Sequence, residues 1–303
     1  MKYTRDKRRL EDTVRTGNAR RPVALLCCIL GLWLGGGQAA ESGAAHVPPG
    51  SPPPGESQIL RLRLSSEIMG HKVPYWVYLP EGYENGSAYP VWYGLHSYSA
   101  SESMWSAGEH IDQIAEEMIA AGELAPLIMV FPFVRYDTAK EIKADMEDGV
   151  RGESKSAQFV WQELVPAIDQ AFSTDPRPEG RFIGGFSMGG LFALEIGLRH
   201  PGLFGVIGAY SPALTWRDYT GDALLRWLFP GEPGGDGSAG RRFDGLKVQL
   251  AWGEDGDPFS EGTESLARAL SVLGAKVAAF PHEGGHSLPR NQLKEYLMFY
   301  QSR

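Results

Sequence analysis

From residue 58 onward the apolar positions follow two rhythms that take turns along the chain. "ILRLRLSS" and "KVPYWVYLP" alternate apolar and polar residues, the period of strands with one solvated face, and predict an initial antiparallel pair. "YPVWYGLHS" and "APLIMVFPFV" are short, nearly continuous apolar runs closed by turn residues, which predicts strands buried on both faces. Between them "ESMWSAGEHIDQIAEEMIAAGE" carries helical spacing through Trp105, Ile111, Ile114, Met118 and Ile119. "SAQFVWQELVPAIDQAFST" is helical again. The alternation continues with "RFIGG" (strand), "MGGLFALEIGLRHP" (helix), "FGVIGAYSP" (strand) and "LKVQLAWG" (strand). "SEGTESLARALSVLGA" (helix), "KVAAFPHE" (strand) and "LPRNQLKEYLMFYQ" (helix) complete it. This order predicts an α/β fold with a mainly parallel central sheet and helices on both faces. Ligands of such folds bind beyond the carboxyl ends of the strands.

Upstream of residue 58 neither rhythm is present. Residues 1–22 hold eight Lys and Arg against three acidic residues, and the apolar run "VALLCCILGLWLGGG" and then "QAAES" follow. Basic, apolar and small residues in that order predict an export signal over residues 1–39, with Gly37 and Ala39 at the small-residue positions of a cleavage site. About a dozen apolar residues fall short of the roughly 20 that cross a bilayer, so an uncleaved anchor is the weaker alternative. Residues 40–57, "AESGAAHVPPGSPPPGES", read as a proline-rich linker, leaving residues 58–303 as one folded domain.

Composition narrows the function classes. The 303 residues are 43% hydrophobic and 22% charged, ordinary for a globular chain, with a formal charge of −8. Removing the five net positive charges of residues 1–22 carries that to −13. Such an acidic domain argues against nucleic acid and anionic membrane surfaces as partners, and no stable membrane association is expected after cleavage. Both cysteines, Cys27 and Cys28, lie in the apolar run, so the domain itself has neither disulfide nor thiol nucleophile.

The most informative stretch is Gly185-Phe186-Ser187-Met188-Gly189, between a predicted strand and a predicted helix. It fits G-x-S-x-G, the nucleophile elbow of α/β-hydrolases, a turn so tight that the chain on either side would collide with a Cβ. Ser187 is therefore the candidate nucleophile, and the start of the following helix presents N–H groups to developing negative charge. A serine needs a base, and in this fold the order is Ser, then Asp or Glu, then His. After Ser187 come only His200, His282 and His286. His200 closes the predicted helix, where a capping role is expected.

The other two histidines lie in "PHEGGHS", which also fits the zinc pattern H-E-x-x-H. That pattern works on a helix, yet Gly284 and Gly285 each cost a helix about 1 kcal/mol and the stretch directly follows an apolar strand. A third ligand is also lacking, because Gln292 stands where the longer pattern has histidine. No metal is expected. His286, past the two glycines, is the candidate base, and His282 a structural residue or pocket wall. For the acid that orients the imidazole, "WGEDGDPFSEG" offers Glu254, Asp255 and Asp257. Asp257 is preferred, since Gly253 and Gly256 free the loop and Pro258 stiffens its exit, with Asp255 the alternative.

With "VYLPEGYENGSAYPVWYGLHSYSASESMW", "FVWQELVPAIDQAF", "IGGFSMGGLFAL" and "PHEGGHS", the chain resembles the putative esterase family of α/β-hydrolases. The family contains S-formylglutathione hydrolases, feruloyl esterases, enterochelin-type esterases and antigen 85 acyltransferases. The resemblance implies an oxyanion hole made by the backbone amides of Tyr98 and Met188, with His96 orienting the loop. Where the family has His-Gly this chain has His96-Ser97, and a left-handed backbone at that position would strain Ser97. It further implies a serine carboxylic ester hydrolase acting through an acyl-enzyme on a small or polymer-linked ester, with no cofactor, and the export signal makes that enzyme secreted or periplasmic. An acyltransferase using a sugar or alcohol acceptor, and a binding protein on the same fold, are the alternatives. Substrate choice is expected in residues 214–245, with Trp216, Trp227 and Phe229, and in residues 135–155, with Asp145, Glu147 and Asp148.

Overall fold

The computed structural model describes residues 56–84, 86–134, 153–214, 225 and 242–301. The predicted export signal, almost all of the linker, Asp145, Glu147, Asp148, Trp216, Trp227 and Phe229 lie outside the described residues. Among the described residues no helix is long and apolar enough to cross a membrane.

Among the described residues eight strands form one sheet: β1 (Gln58–Ser65), β2 (Lys72–Leu79), β3 (Val91–Leu95), β4 (Ile128–Pro132), β5 (Arg181–Phe186), β6 (Val206–Tyr210), β7 (Lys247–Gly253) and β8 (Lys276–His282). Their order across the sheet is β1-β2-β4-β3-β5-β6-β7-β8. β1 pairs antiparallel with β2, as the alternating pattern predicts, and β2 antiparallel with β4. Every other pairing is parallel. The helices are α1 (Ile111–Ala120), α2 (Lys155–Gln158, a wide π segment Phe159–Leu164, then Val165–Ala171), α3 (Met188–Arg199), α4 (Ser260–Val272) and α5 (Leu293–Gln301).

Side-chain parity divides the core into two layers, because successive strand residues face opposite sides of a sheet. Val91, Tyr93 and Leu95 of β3, Ile128 and Val130 of β4, and Val248, Leu250 and Trp252 of β7 pack in the layer with α2, α3 and α4. Trp92, Met129, Phe131 and Ala251, the intervening positions, pack with α1 and α5. Helices therefore cover both faces, which is why the central strands read as unbroken apolar runs.

The helix expected between β3 and β4 is in fact two pieces. Met104–Gly108 is a π turn, and α1 begins only after His110, whose φ of 56° is left-handed and cannot continue a right-handed helix. The break lets the Trp105 indole N–H donate to the Leu95 carbonyl at 3.2 Å while Ile111, Ala115 and Met118 keep their own face on the sheet. Register aligns the functional ends: Leu95 pairs with Gly185, Phe186 with Tyr210, and Gly253 with His282. The loops after β3, β5, β7 and β8 thus leave one edge of the sheet.

Candidate active site

The elbow forms where β5 ends and α3 starts. Ser187 has φ 57° and ψ −116°, a strained conformation for a residue with a side chain, held because its amide donates to the Tyr210 carbonyl at 2.9 Å and its carbonyl accepts from Leu191 and Ala213. A Cβ on Gly185 would lie 2.3 Å from the Gly189 carbonyl carbon, so only glycine lets the helix turn back on the strand this closely.

The chain brings Ser187, His286 and Asp257 together. His286 Nε2 lies 2.9 Å from Ser187 Oγ, across 99 positions of sequence, and His286 Nδ1 lies 3.3 Å from Asp257 Oδ1. The Asp257 side chain is wholly buried. Burial works to raise its pKa, but the hydrogen bond with His286 and those from the amides of Phe259 (3.1 Å) and Gly253 (3.2 Å) outweigh it and hold the group at about 2. Asp255, by contrast, is exposed, and its amide donates to the Gly284 carbonyl. The structure therefore directs Asp257 and not Asp255 at the imidazole.

Two aromatic rings missed from the sequence hold that imidazole. Phe186 stacks on it at 4.9 Å and 23°, and Phe259 meets it edge-on at 4.9 Å and 78°. Their positions, one inside the elbow and one two residues after Asp257, are the only signals the sequence carries for them. The His286 loop passes directly over β7: a Cβ on Gly253 would lie 2.2 Å from the Gly284 carbonyl oxygen.

His282 ends β8 and is buried, with Nδ1 3.0 Å from the Glu283 carbonyl oxygen and its own carbonyl accepting from Glu254. It sits on a strand, not a helix, and both nitrogens of His286 are engaged by Ser187 and Asp257, so this stretch does not present the paired imidazoles of a zinc motif. His200 does end α3, but its ring works differently from a simple cap. It pairs with the Glu153 carboxylate and lies 4.4 Å from the Trp161 ring.

On the opposite side of the serine, Met188 is the first residue of α3, where helical N–H groups have no intrahelical partner. The loop after β3 rests on this turn, since a Cβ on Gly189 would lie 2.3 Å from the Leu95 carbonyl oxygen and 2.7 Å from that of His96. Ser97 is not left-handed: the described non-glycine residues with positive φ are His110, Ser187 and Ser211. The strain expected from a serine at this position is absent, because the loop turns without needing the glycine region. Tyr98 is half-buried against the main core layer.

Known proteins share this fold. A solved ferulic acid esterase superposes with a TM-score of 0.68 at 20% identity, covering 81% of this chain and 98% of its own. Enterobactin esterase from Shigella flexneri does so at 0.65 and 20%, covering 82% and 59%. An endo-1,4-β-xylanase/feruloyl esterase from Xylanibacter ruminicola is 31% identical over 161 residues, half of this chain and 21% of that protein, so the chain spans about a fifth of this relative's length. The solved structures establish the fold, and the family model described as "Putative esterase" matches residues 66–279, the span from the end of β1 into β8 that holds the serine, the buried aspartate and most of the sheet. With that match over more than half its length, the chain belongs to the putative esterase family of α/β-hydrolase-fold proteins.

Proposed function

We propose that this protein is a serine carboxylic ester hydrolase in which Ser187, His286 and Asp257 act as nucleophile, base and orienting acid. The observation that carries the reading is the unbroken line from Ser187 Oγ to His286 Nε2 at 2.9 Å and from Nδ1 to the buried Asp257 carboxylate at 3.3 Å. Ser187 Oγ attacks the ester carbonyl while His286 takes its proton, and the alkoxide becomes the tetrahedral oxyanion, held by the amides of Tyr98 and Met188. Collapse expels the alcohol, protonated by His286, and leaves an acyl-serine. Water, deprotonated by His286, then releases the acid. Asp257, kept ionised by its environment, stabilises the imidazolium formed in each half-reaction.

Esters of hydroxycinnamic acids are the first substrates to offer. Two of the similar proteins carry the ferulic or feruloyl esterase name, and aromatic Phe186 and Phe259 already flank His286. Residues 1–39 have the order of an export signal, which supports action outside the cytoplasm on a small or polymer-linked ester. Neither a cofactor nor a metal enters the scheme.

The test is labelling with a fluorophosphonate followed by hydrolysis of methyl ferulate and a short-chain nitrophenyl ester. Wild type should take up one label at Ser187 and hydrolyse at least one ester, and Ser187→Ala should do neither. An unlabelled, inactive wild type, or an active Ser187→Ala, refutes the reading. Free acid as the product in the presence of added sugar or alcohol distinguishes hydrolysis from acyl transfer.

A further inference from the structure

We infer that Ser211 is a positioning residue for the triad: its buried hydroxyl completes the donors around the Asp257 carboxylate and fixes the plane in which that carboxylate meets His286. The inference rests on the hydrolase reading above. Its first basis is a count of acceptor positions. An ionised carboxylate offers about four, two on each oxygen. Oδ1 is filled, by the Phe259 amide at 3.1 Å and His286 Nδ1 at 3.3 Å. Oδ2 receives the Gly253 amide at 3.2 Å, which leaves it one position. Bulk water does not reach that position, because the Asp257 side chain is wholly buried.

Ser211 supplies a hydroxyl in the right place. It directly follows β6 and is completely buried. No acceptor among the described residues meets its Oγ with full hydrogen-bond geometry, and the group on which the hydroxyl acts is the Asp257 carboxylate. Burial raises the pKa of that carboxylate; against it work His286, then the Ser211 hydroxyl, then the two amides. An ionised carboxylate can only accept, so the hydroxyl must be the donor.

The backbone explains how it is held there. Ser211 has φ 41°, a left-handed value that strains any residue with a Cβ, and Pro212 follows it directly. Its amide donates to the Ala251 carbonyl of β7 at 2.7 Å. Its neighbours hold the nucleophile: the Tyr210 carbonyl accepts from the Ser187 amide at 2.9 Å, and the Ala213 amide donates to the Ser187 carbonyl at 3.0 Å. Pro212 packs on the start of α3, where a Cβ on Gly190 would lie 3.2 Å from its Cα. Residues 210–213 are thus tied on one side to Ser187 and on the other to β7, the strand that leads into the Asp257 loop. A glycine would take this turn without strain; the hydroxyl aimed at Asp257 accounts for a serine. Without it the carboxylate loses one of its fixed donors and can turn away from His286. That loss falls on proton transfer in both half-reactions and not on substrate binding.

Two variants and one cycle separate the hydroxyl from the backbone. Ser211→Ala removes the hydroxyl and keeps the strain, whereas Ser211→Gly removes both, so the glycine variant should melt at the higher temperature of the two. Nitrophenyl ester hydrolysis should show kcat down about 5- to 50-fold in each, with KM within about threefold of wild type. If Ser211→Ala does not fold, Ser211→Gly alone decides. In an Asp257→Asn background Ser211→Ala should change kcat by less than about twofold, since a residue acting through the carboxylate has nothing left to act on. Full kcat in Ser211→Gly, a loss that falls in KM, or the same loss repeated in the Asp257→Asn background overturns the inference even though the wild type is an esterase. A wild type that neither labels nor hydrolyses instead refutes the hydrolase reading and takes this inference with it.

Discussion

Replacing Asp257 by asparagine tests the site at the group whose environment is most tightly specified. Its carboxylate accepts on both oxygens: Oδ1 faces His286 Nδ1 and the Phe259 amide, and Oδ2 faces the Gly253 amide. An asparagine amide nitrogen fits neither place. Over Oδ2 it opposes the Gly253 N–H, and over Oδ1 it opposes Phe259 and forces His286 to protonate Nε2, the wrong nitrogen for taking a proton from Ser187. The same exchange in a serine protease triad, a worked case in general enzymology, lowers kcat about 10⁴-fold by this tautomer error. Here kcat/KM for methyl ferulate or a nitrophenyl ester should fall about 10³- to 10⁴-fold, roughly 4 to 5.5 kcal/mol at 1.36 kcal/mol per decade, with KM little changed. Asp255→Asn should remain within about twofold of wild type, because that side chain is exposed. The pH profile of stability gives a second reading. Asp257 has a folded pKa of about 2 against an ordinary 3.8, so its contribution of about 2 kcal/mol is complete above 3.8 and lost as pH falls towards 2. Asp257→Asn should lose that acid limb. Retention of more than a tenth of wild-type kcat/KM by Asp257→Asn, or a large loss in Asp255→Asn, refutes the assignment.

Two further outcomes follow from neighbouring residues. Gly189→Ala would set a Cβ 2.3 Å from the Leu95 carbonyl oxygen, and since backbone must move to admit it, kcat should drop more than about tenfold and stability by about 1 to 3 kcal/mol, read by kinetics and thermal melts. Unchanged activity would mean that the loop after β3 is not set by α3. Glu195 is buried, and burial raises its pKa to about 7 against the lowering effect of two hydrogen bonds from Ser154. A folded pKa above the ordinary 4.5 means that stability is complete below about 4.5 and is lost as pH rises towards 7, by about 3 kcal/mol. Denaturant titrations should show this decline in wild type and a flatter curve in Glu195→Gln; equal slopes would contradict the raised value.

Much of the fold was legible because its signals are local. The central strands are buried on both faces, so β3, β4 and β7 appear as apolar runs, while β1 and β2 alternate because one face meets a core and the other less so. The elbow was legible because steric limits at Gly185 and Ser187 act over five residues. The break at His110 was not, since apolar spacing continues across it and only the backbone dihedral reveals the turn. Nor could the letters show that Ser97 needs no left-handed conformation, or that Phe186 and Phe259 grip His286 from two sides.

By itself, the sequence determined which elements form and which residue types could do the chemistry: Ser187 at a strand-to-helix turn, His286 beyond a glycine pair, and an acidic loop after β7. What only the tertiary structure decided was selection among near neighbours. Asp257 and Asp255 differ by two positions in the same turn, yet one is buried under His286 and the other is exposed. That choice, like the approach of Ser211 to Asp257, depends on strands far apart in sequence lying side by side in a fixed register. Local preference writes the elements, whereas the direction of a carboxylate or a peptide dipole is set by long-range packing and by the requirement that every buried polar group find a partner.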